Sequence, residues 1–115
     1  MTSSHHPYSL AFEKDGVVYI SGATSIDYAT HQPIEGDAEA VDAALDEVER
    51  RLQSVGLELR HVVKATYFLV DLGLRDQANR QFETRFEAPR PARTVVGVAA
   101  NPYGGKCVID VIAHR

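Results

Sequence analysis

The sequence predicts an α+β fold: one mixed sheet in the order β-β-α-β-α-β-β, with both helices packed on one face. Three observations carry this. An Asp-Gly pair separates two short apolar runs near the start. Two stretches with apolar residues spaced by three and four flank a β-branched, aromatic run at 61–71. Two further apolar runs close the chain on either side of "NPYGG".

The elements follow in order. In "YSLAFEKDGVVYISG" (8–22), Lys14-Asp15-Gly16 divides two strands, because Asp-Gly accepts the positive φ of a tight hairpin turn. The second strand is expected over Val17 to Ser21, stopping at Gly22, and "DYATHQPIEGD" reads as a polar loop. Asp37 is a candidate N-cap for the first helix. Val41, Leu45, Val48, Leu52 and Val55 then form one apolar helical stripe that Gly56 ends. "HVVKATYFLVD" (61–71) is a strand by composition. "LRDQANRQFETRF" (74–86) is the second helix, with Ala78, Phe82 and Phe86 on one face, and "EAPRP" breaks it. A strand over 93–100, the turn "NPYGG" and a last strand in "KCVIDVIAHR" complete the chain.

Two helices on one face leave the other face of the sheet bare. A chain of 115 residues, read as a single domain, has no third layer to cover it, so another subunit is the expected cover.

Twelve Lys and Arg against 16 Asp and Glu give a net charge of −4. That disfavours nucleic acid and anionic membranes as partners, since both need clustered positive charge. The single Cys107 leaves no disulfide framework and suits a reducing cytosol. No apolar run approaches the ~18 residues of a membrane span, and "MTSSHHPYS" is no signal peptide. A cytoplasmic protein is expected.

"RPARTVVGVAANP" (90–102) holds the first chemical question, a guanidinium at the mouth of a β-branched strand. Arg93 is either paired with a carboxylate, such as Asp110 on the neighbouring strand, or held for a carboxylate ligand, which Arg grips bidentately. Asn79 lies near the polar side of the Phe stripe and reads by itself as a solvated helix residue. Ser21-Gly22 ends the second strand, where glycine either turns the chain or lets a backbone N–H approach a ligand. Tyr8 precedes the first strand as a surface aromatic or a pocket wall. Cys107 alternates with Ile109 and Val111, which reads as a small buried residue rather than a nucleophile. The five histidines, including His5 and His6, show no metal-ligand spacing. No phosphate loop, dinucleotide fingerprint or nucleophile elbow is present.

"PARTVVGVAANPYGGKCVIDVIA" resembles the C-terminal signature of the reactive-intermediate deaminase family, also called the YjgF/YER057c/UK114 family. "VVYISGA", "VVKATYFLVD" and "ANRQFETRF" extend the resemblance over nearly the whole chain in the same order, with a shortened loop before Pro91. It implies a chorismate-mutase-like fold and a homotrimer with ligand clefts between subunits. It implies hydrolysis of enamines and imines, such as 2-aminoacrylate and 2-iminobutyrate, to 2-keto acids and ammonia, without metal or organic cofactor.

Residue by residue, the resemblance implies that Arg93 is the catalytic carboxylate anchor. Ser21 and Gly22 line the cleft, Asn79 lies near the pocket, and Tyr8 closes it. Val95 takes the position that is often cysteine, where its carbonyl can place water. One departure matters: the family's water-activating glutamate aligns with Val108. Asp110, two residues along the same strand face, is a possible surrogate acid/base or else pairs with Lys106 or Arg115 at the rim. Val108 and Val95 make the cleft more apolar, which suits a bulkier ligand. Two functions stay open: a deaminase, or a non-deaminating member that binds a small carboxylate or acts on another pathway intermediate. Ribonuclease activity, attached to some relatives, fits poorly with the acidic charge and the missing basic–aromatic stripe.

Overall fold

The computed structural model describes residues 6–115; His5 lies outside the described residues. Two strands, β1 (Ala11–Lys14) and β2 (Val17–Thr24), form the expected hairpin. Asp15 and Gly16 turn it with φ of 53° and 80°, the left-handed geometry that matches the twist of two paired strands. Two short strands, β3 (Ile26–Asp27) and β4 (Gln32–Pro33), precede helix α1 (Asp37–Ser54). Then come β5 (Val62–Leu69), α2 (Arg75–Arg85), β6 (Ala92–Gly97) and β7 (Cys107–His114).

The main sheet has the order β1-β2-β7-β5-β6. Only β5 and β6 run parallel, joined through α2; the other pairs are antiparallel. The result is the mixed α+β sheet that the element order predicts, with the helices on one side. Strand alternation sorts residues between its faces. Cys107, Ile109, Val111 and Ala113 of β7 are buried towards the helices, and Val108, Asp110 and Ile112 face the open side. Ala65, Tyr67 and Leu69 of β5 are buried likewise, with Lys64, Thr66 and Phe68 opposite. Against this sheet α1 lays Val41, Leu45, Val48 and Leu52, all fully buried. Each such side chain contributes roughly 1.5–3 kcal/mol of hydrophobic stabilisation. Ala78, Phe82 and Phe86 seat α2 and the residue after it on the same core.

Several expectations are corrected. The polar loop after β2 contains the β3–β4 hairpin: Asp27 Oδ1 accepts from Ala29 N at 2.8 Å and tightens the turn between them. Strand β2 does not stop at Gly22 but runs on to Thr24 through an irregularity in its pairing with β7 between Ile20 and Ala23. Gly36, not Asp37, is the N-cap of α1. Asp37 is the first helical residue, and its carboxylate accepts from Lys106 Nζ at 2.8 Å. Strand β6 ends at Gly97 rather than Ala100. The sheet order also places β5 between β6 and β7, so Asp110 is not on a strand neighbouring Arg93. A crossover through α2 delivers β6 to the outer edge of β5, because the other edge is already filled by β7.

Candidate functional site

Arg93 is the second residue of β6, in register with Ala65 of β5. Alternation turns both side chains towards the helices. The Arg93 guanidinium lies beside two aromatic rings. Its ζ carbon stands 4.8 Å from the Phe82 ring centre and 5.3 Å from that of Tyr67. Such stacking on two aromatic faces is favourable for a planar cation. Nη2 donates to Asn79 Oδ1 at 2.5 Å, and Nη1 makes a long contact to the Ala78 carbonyl at 3.4 Å. Two of the five guanidinium N–H groups are engaged, which leaves three for another acceptor. Among the described residues, no carboxylate lies within 4.0 Å of this half-buried cation.

The ring beneath it is itself fixed. Tyr67 Oη donates to Gln81 Oε1 at 2.6 Å, and Gln81 Nε2 donates to the Val41 carbonyl at 2.7 Å. This chain ties the sheet to α2 and α1. Burial raises the Tyr67 pKa far above that of a free phenol, so the group stays a neutral donor. Val95, two residues along β6, packs against the core on the same face.

The other predicted residues gather elsewhere. On the open face Thr24, Val108 and Phe68 form one cross-strand row. They floor a cavity of about 320 Å³ whose lining also includes Tyr8, Gly22, Tyr28, Asn101 and Tyr103. Gly22 is needed here: a Cβ on it would stand 2.8 Å from Val108 Cγ1. Ser21, next to it, donates from Oγ to the Ser9 carbonyl at 2.6 Å, which pins the segment before β1 and so Tyr8.

Asp110 lies on the same open face as Val108. Its partial burial raises its pKa, against the opposing effects of the Lys64 charge and a hydrogen bond from Thr66. It pairs with neither expected partner: Lys106 is bound to Asp37, and Arg115 forms a fork on Glu13 at 2.8 and 3.1 Å. Cys107 is fully buried, and desolvation pushes its thiol up to about 12, consistent with a packing role rather than a nucleophile.

One residue was missed at the sequence level. Arg51 of α1 is only 7% exposed. Nε donates to Glu47 Oε2 at 2.9 Å, Nη1 to the Ser21 carbonyl at 2.8 Å and, more weakly, to the Gly22 carbonyl at 3.4 Å. Nη2 reaches Tyr28 Oη at 3.4 Å, and that oxygen also accepts from Thr24 N at 2.8 Å. Arg51 therefore holds, from the helix side, the irregular stretch of β2 that borders the cavity. The signal was present: position 51 lies three residues after Val48, inside the apolar stripe, with Glu47 one turn before it.

Another cleft, of about 740 Å³, lies near the C-terminal ends of the two helices and contains none of the predicted residues. Four of its charges are mutually paired, Arg85 with Glu49 and Arg60 with Glu58. Among the described residues no group of His, Cys, Asp and Glu has metal-binding geometry, and no helix is long and apolar enough to cross a membrane.

Within one copy, then, Arg93, Asn79 and Val95 sit on the helix face of the sheet. Tyr8, Gly22, Val108 and Asp110 belong to the other face. A five-stranded mixed sheet with two helices on one side is the architecture of a small α+β family. The family described as "Endoribonuclease L-PSP" matches residues 2–115, and the chain belongs to it, the YjgF/RidA family. Protein DfrA of Myxococcus xanthus is 36% identical over 110 residues, covering 93% of this chain and 84% of that protein. The 2-iminobutanoate/2-iminopropanoate deaminase of Bos taurus is 37% identical over 108 residues, covering 93% and 79%. Among solved structures, RidA from the Antarctic bacterium Psychrobacter sp. PAMC 21119 superposes with a TM-score of 0.90 at 31% identity, over 98% of this chain and 92% of that one. The YjgF gene product of E. coli does so at 0.87 and 29%, over 97% and 91%.

Proposed function

We propose that this protein hydrolyses 2-imino and 2-enamino acids to 2-oxo acids and ammonia, with Arg93 anchoring the substrate carboxylate. The observation that carries the reading is the Arg93 guanidinium itself. It is rigidly stacked and braced by Asn79, has three N–H groups to spare, and has no carboxylate within reach among the described residues. A half-buried charge in that state is poised for an anion. Relatives named 2-iminobutanoate/2-iminopropanoate deaminase, in cattle and mouse at 37% and 34% identity, support the choice of reaction.

On this reading three copies, each one domain of residues 1–115, assemble so that Arg93 of one copy faces the open-side cavity of the next. Water adds to C2 of the protonated imine, and the resulting carbinolamine expels ammonia and leaves the C2 carbonyl. Main-chain groups at Gly22 and Val95 place the water, and Tyr8 closes the cleft. Val108 can neither accept a proton nor hold a water, so the substrate nitrogen itself carries the protons. Asp110 is too far along the strand to replace a base at 108 directly, at about 6–7 Å.

Val108 also favours a second reading, a family member that keeps the carboxylate site but binds or converts a different small acid in the same compartment, the cytoplasm. The test is hydrolysis of 2-iminobutyrate generated in situ, with wild type and Arg93→Ala compared. Acceleration by the wild type that is lost in the variant is the expected result. No acceleration over the uncatalysed rate would refute the deaminase reading. Val108→Glu then discriminates further, since it raises turnover only if a water activator is all that is missing.

A further inference from the structure

We infer that the open-face cavity is a side-chain pocket, and that it selects 2-imino or 2-oxo acids bearing an aromatic or large branched apolar side chain over those with a methyl or ethyl group. The inference rests on the carboxylate-binding reading above and adds the substrate class. Four features of the cavity lead to it.

The walls are rich in aromatic residues: Tyr8, Tyr28, Phe68 and Tyr103 all line it. No Asp, Glu, Lys or Arg side chain does so. His6 also lines the cavity, and two of the cavity's polar side chains are engaged by the protein. Tyr28 Oη is held by Thr24 N and Arg51, and the Asn101 side-chain amide donates to the Phe68 carbonyl at 3.1 Å. The floor is a valine methyl lying directly over the bare Gly22 peptide. A guest there finds hydrocarbon and aromatic surface, which rewards apolar area. The volume of about 320 Å³ is far more than a methyl group fills.

The fourth feature is strain. Tyr103 sits at φ 59° and ψ 20°, a left-handed conformation that a bulky L-residue rarely adopts. Its ring lies 4.8 Å from that of His31, which has φ 62°. Tyr103 is nevertheless 59% exposed, so its ring is not held there to fill the core. Asn would adopt this backbone more easily. A strained aromatic kept at the mouth of an apolar cavity points to a contact with what enters it.

The test is a binding titration with stable 2-oxo acids, phenylpyruvate against 2-oxobutyrate, on wild type and Tyr103→Asn. A matching pocket separates apolar groups by roughly 10–200-fold per methylene-scale difference. The expected result is that phenylpyruvate binds at least ~10-fold more tightly. Tyr103→Asn should cut that ratio several-fold and leave the melting temperature unchanged or higher. Equal or weaker binding of phenylpyruvate, binding of neither acid, or a ratio unchanged in the variant would overturn the inference. So would dissociation of the oligomer by Tyr103→Asn with the preference intact, since the ring would then be a subunit contact. Binding needs no turnover: a protein that prefers phenylpyruvate but hydrolyses no imine refutes the deaminase reading alone. One that hydrolyses 2-iminobutyrate without the preference refutes the pocket alone.

Discussion

Replacing Arg51 by methionine keeps the length and apolar stem of the side chain and removes its charge. The structure sets the size of the effect. The guanidinium is 7% exposed and makes two short hydrogen bonds, 2.9 Å to Glu47 and 2.8 Å to the Ser21 carbonyl, plus two long ones. Removing one partner of a buried ion pair costs about 3–5 kcal/mol, because the other is left uncompensated. Glu47 is 13% exposed and keeps Arg50 as a partner at 3.0 Å, so the low end, ~3 kcal/mol, is expected. The carbonyls of Ser21 and Gly22 also lose their donor. For a chain of this size that corresponds to a fall in melting temperature of roughly 12 °C. The assay is urea and thermal unfolding followed by circular dichroism at fixed protein concentration, since the chain has no tryptophan. Glu47→Gln and the double variant complete a cycle, and a coupling of at least ~1 kcal/mol is expected between the two. A loss below ~1 kcal/mol in Arg51→Met would refute the argument that this cation clamps β2.

Three further outcomes are expected. Tyr67→Phe removes the donor to Gln81 Oε1 and should cost about 1–3 kcal/mol by leaving a buried acceptor unpaired; denaturant midpoints that match the wild type would contradict this. Asp110 has its pKa raised above 3.8 by desolvation, so the folded state binds that proton more tightly than the unfolded chain does. Its contribution is complete below the ordinary aspartate range and is lost as pH rises through the folded value. Asp110→Asn should therefore be the more stable protein at neutral pH, with the gain shrinking towards about pH 3; a neutral-pH loss would count against it. Cys107, with its thiol pushed up to about 12, should react with a thiol reagent at pH 8 only after denaturant is added, and prompt labelling of the native protein would show that it is accessible.

Much of the fold was legible because local periodicity reports which residues share a face. Val41, Leu45, Val48 and Leu52 repeat at the helical spacing, and all four are buried. Cys107, Ile109 and Val111 alternate with Val108 and Asp110, and the sheet sorts them accordingly. Asp15-Gly16 turned where its backbone preferences required. The β3–β4 hairpin was not legible, since its strands are two residues each and carry no period. Strand β2 was cut short at Gly22 because glycine looks like punctuation, yet here it makes room for Val108 across the sheet. Arg51 drew no reading from the sequence, although it sits three residues after Val48 of the apolar stripe, with Glu47 one turn before it.

The sequence by itself determined the two helices, the five strands of the main sheet, their faces and the place of Arg93 at the head of a strand, because these depend on periods of two and 3.6 and on turn chemistry within a few residues. Only the tertiary structure decided which strands are neighbours. It placed β5 between β6 and β7, took Arg93 away from Asp110, and set Arg93 and Gly22 on opposite sides of one sheet. Strand pairing is decided by long-range hydrogen bonding and packing of the whole core, and those contacts leave no local mark in the chain.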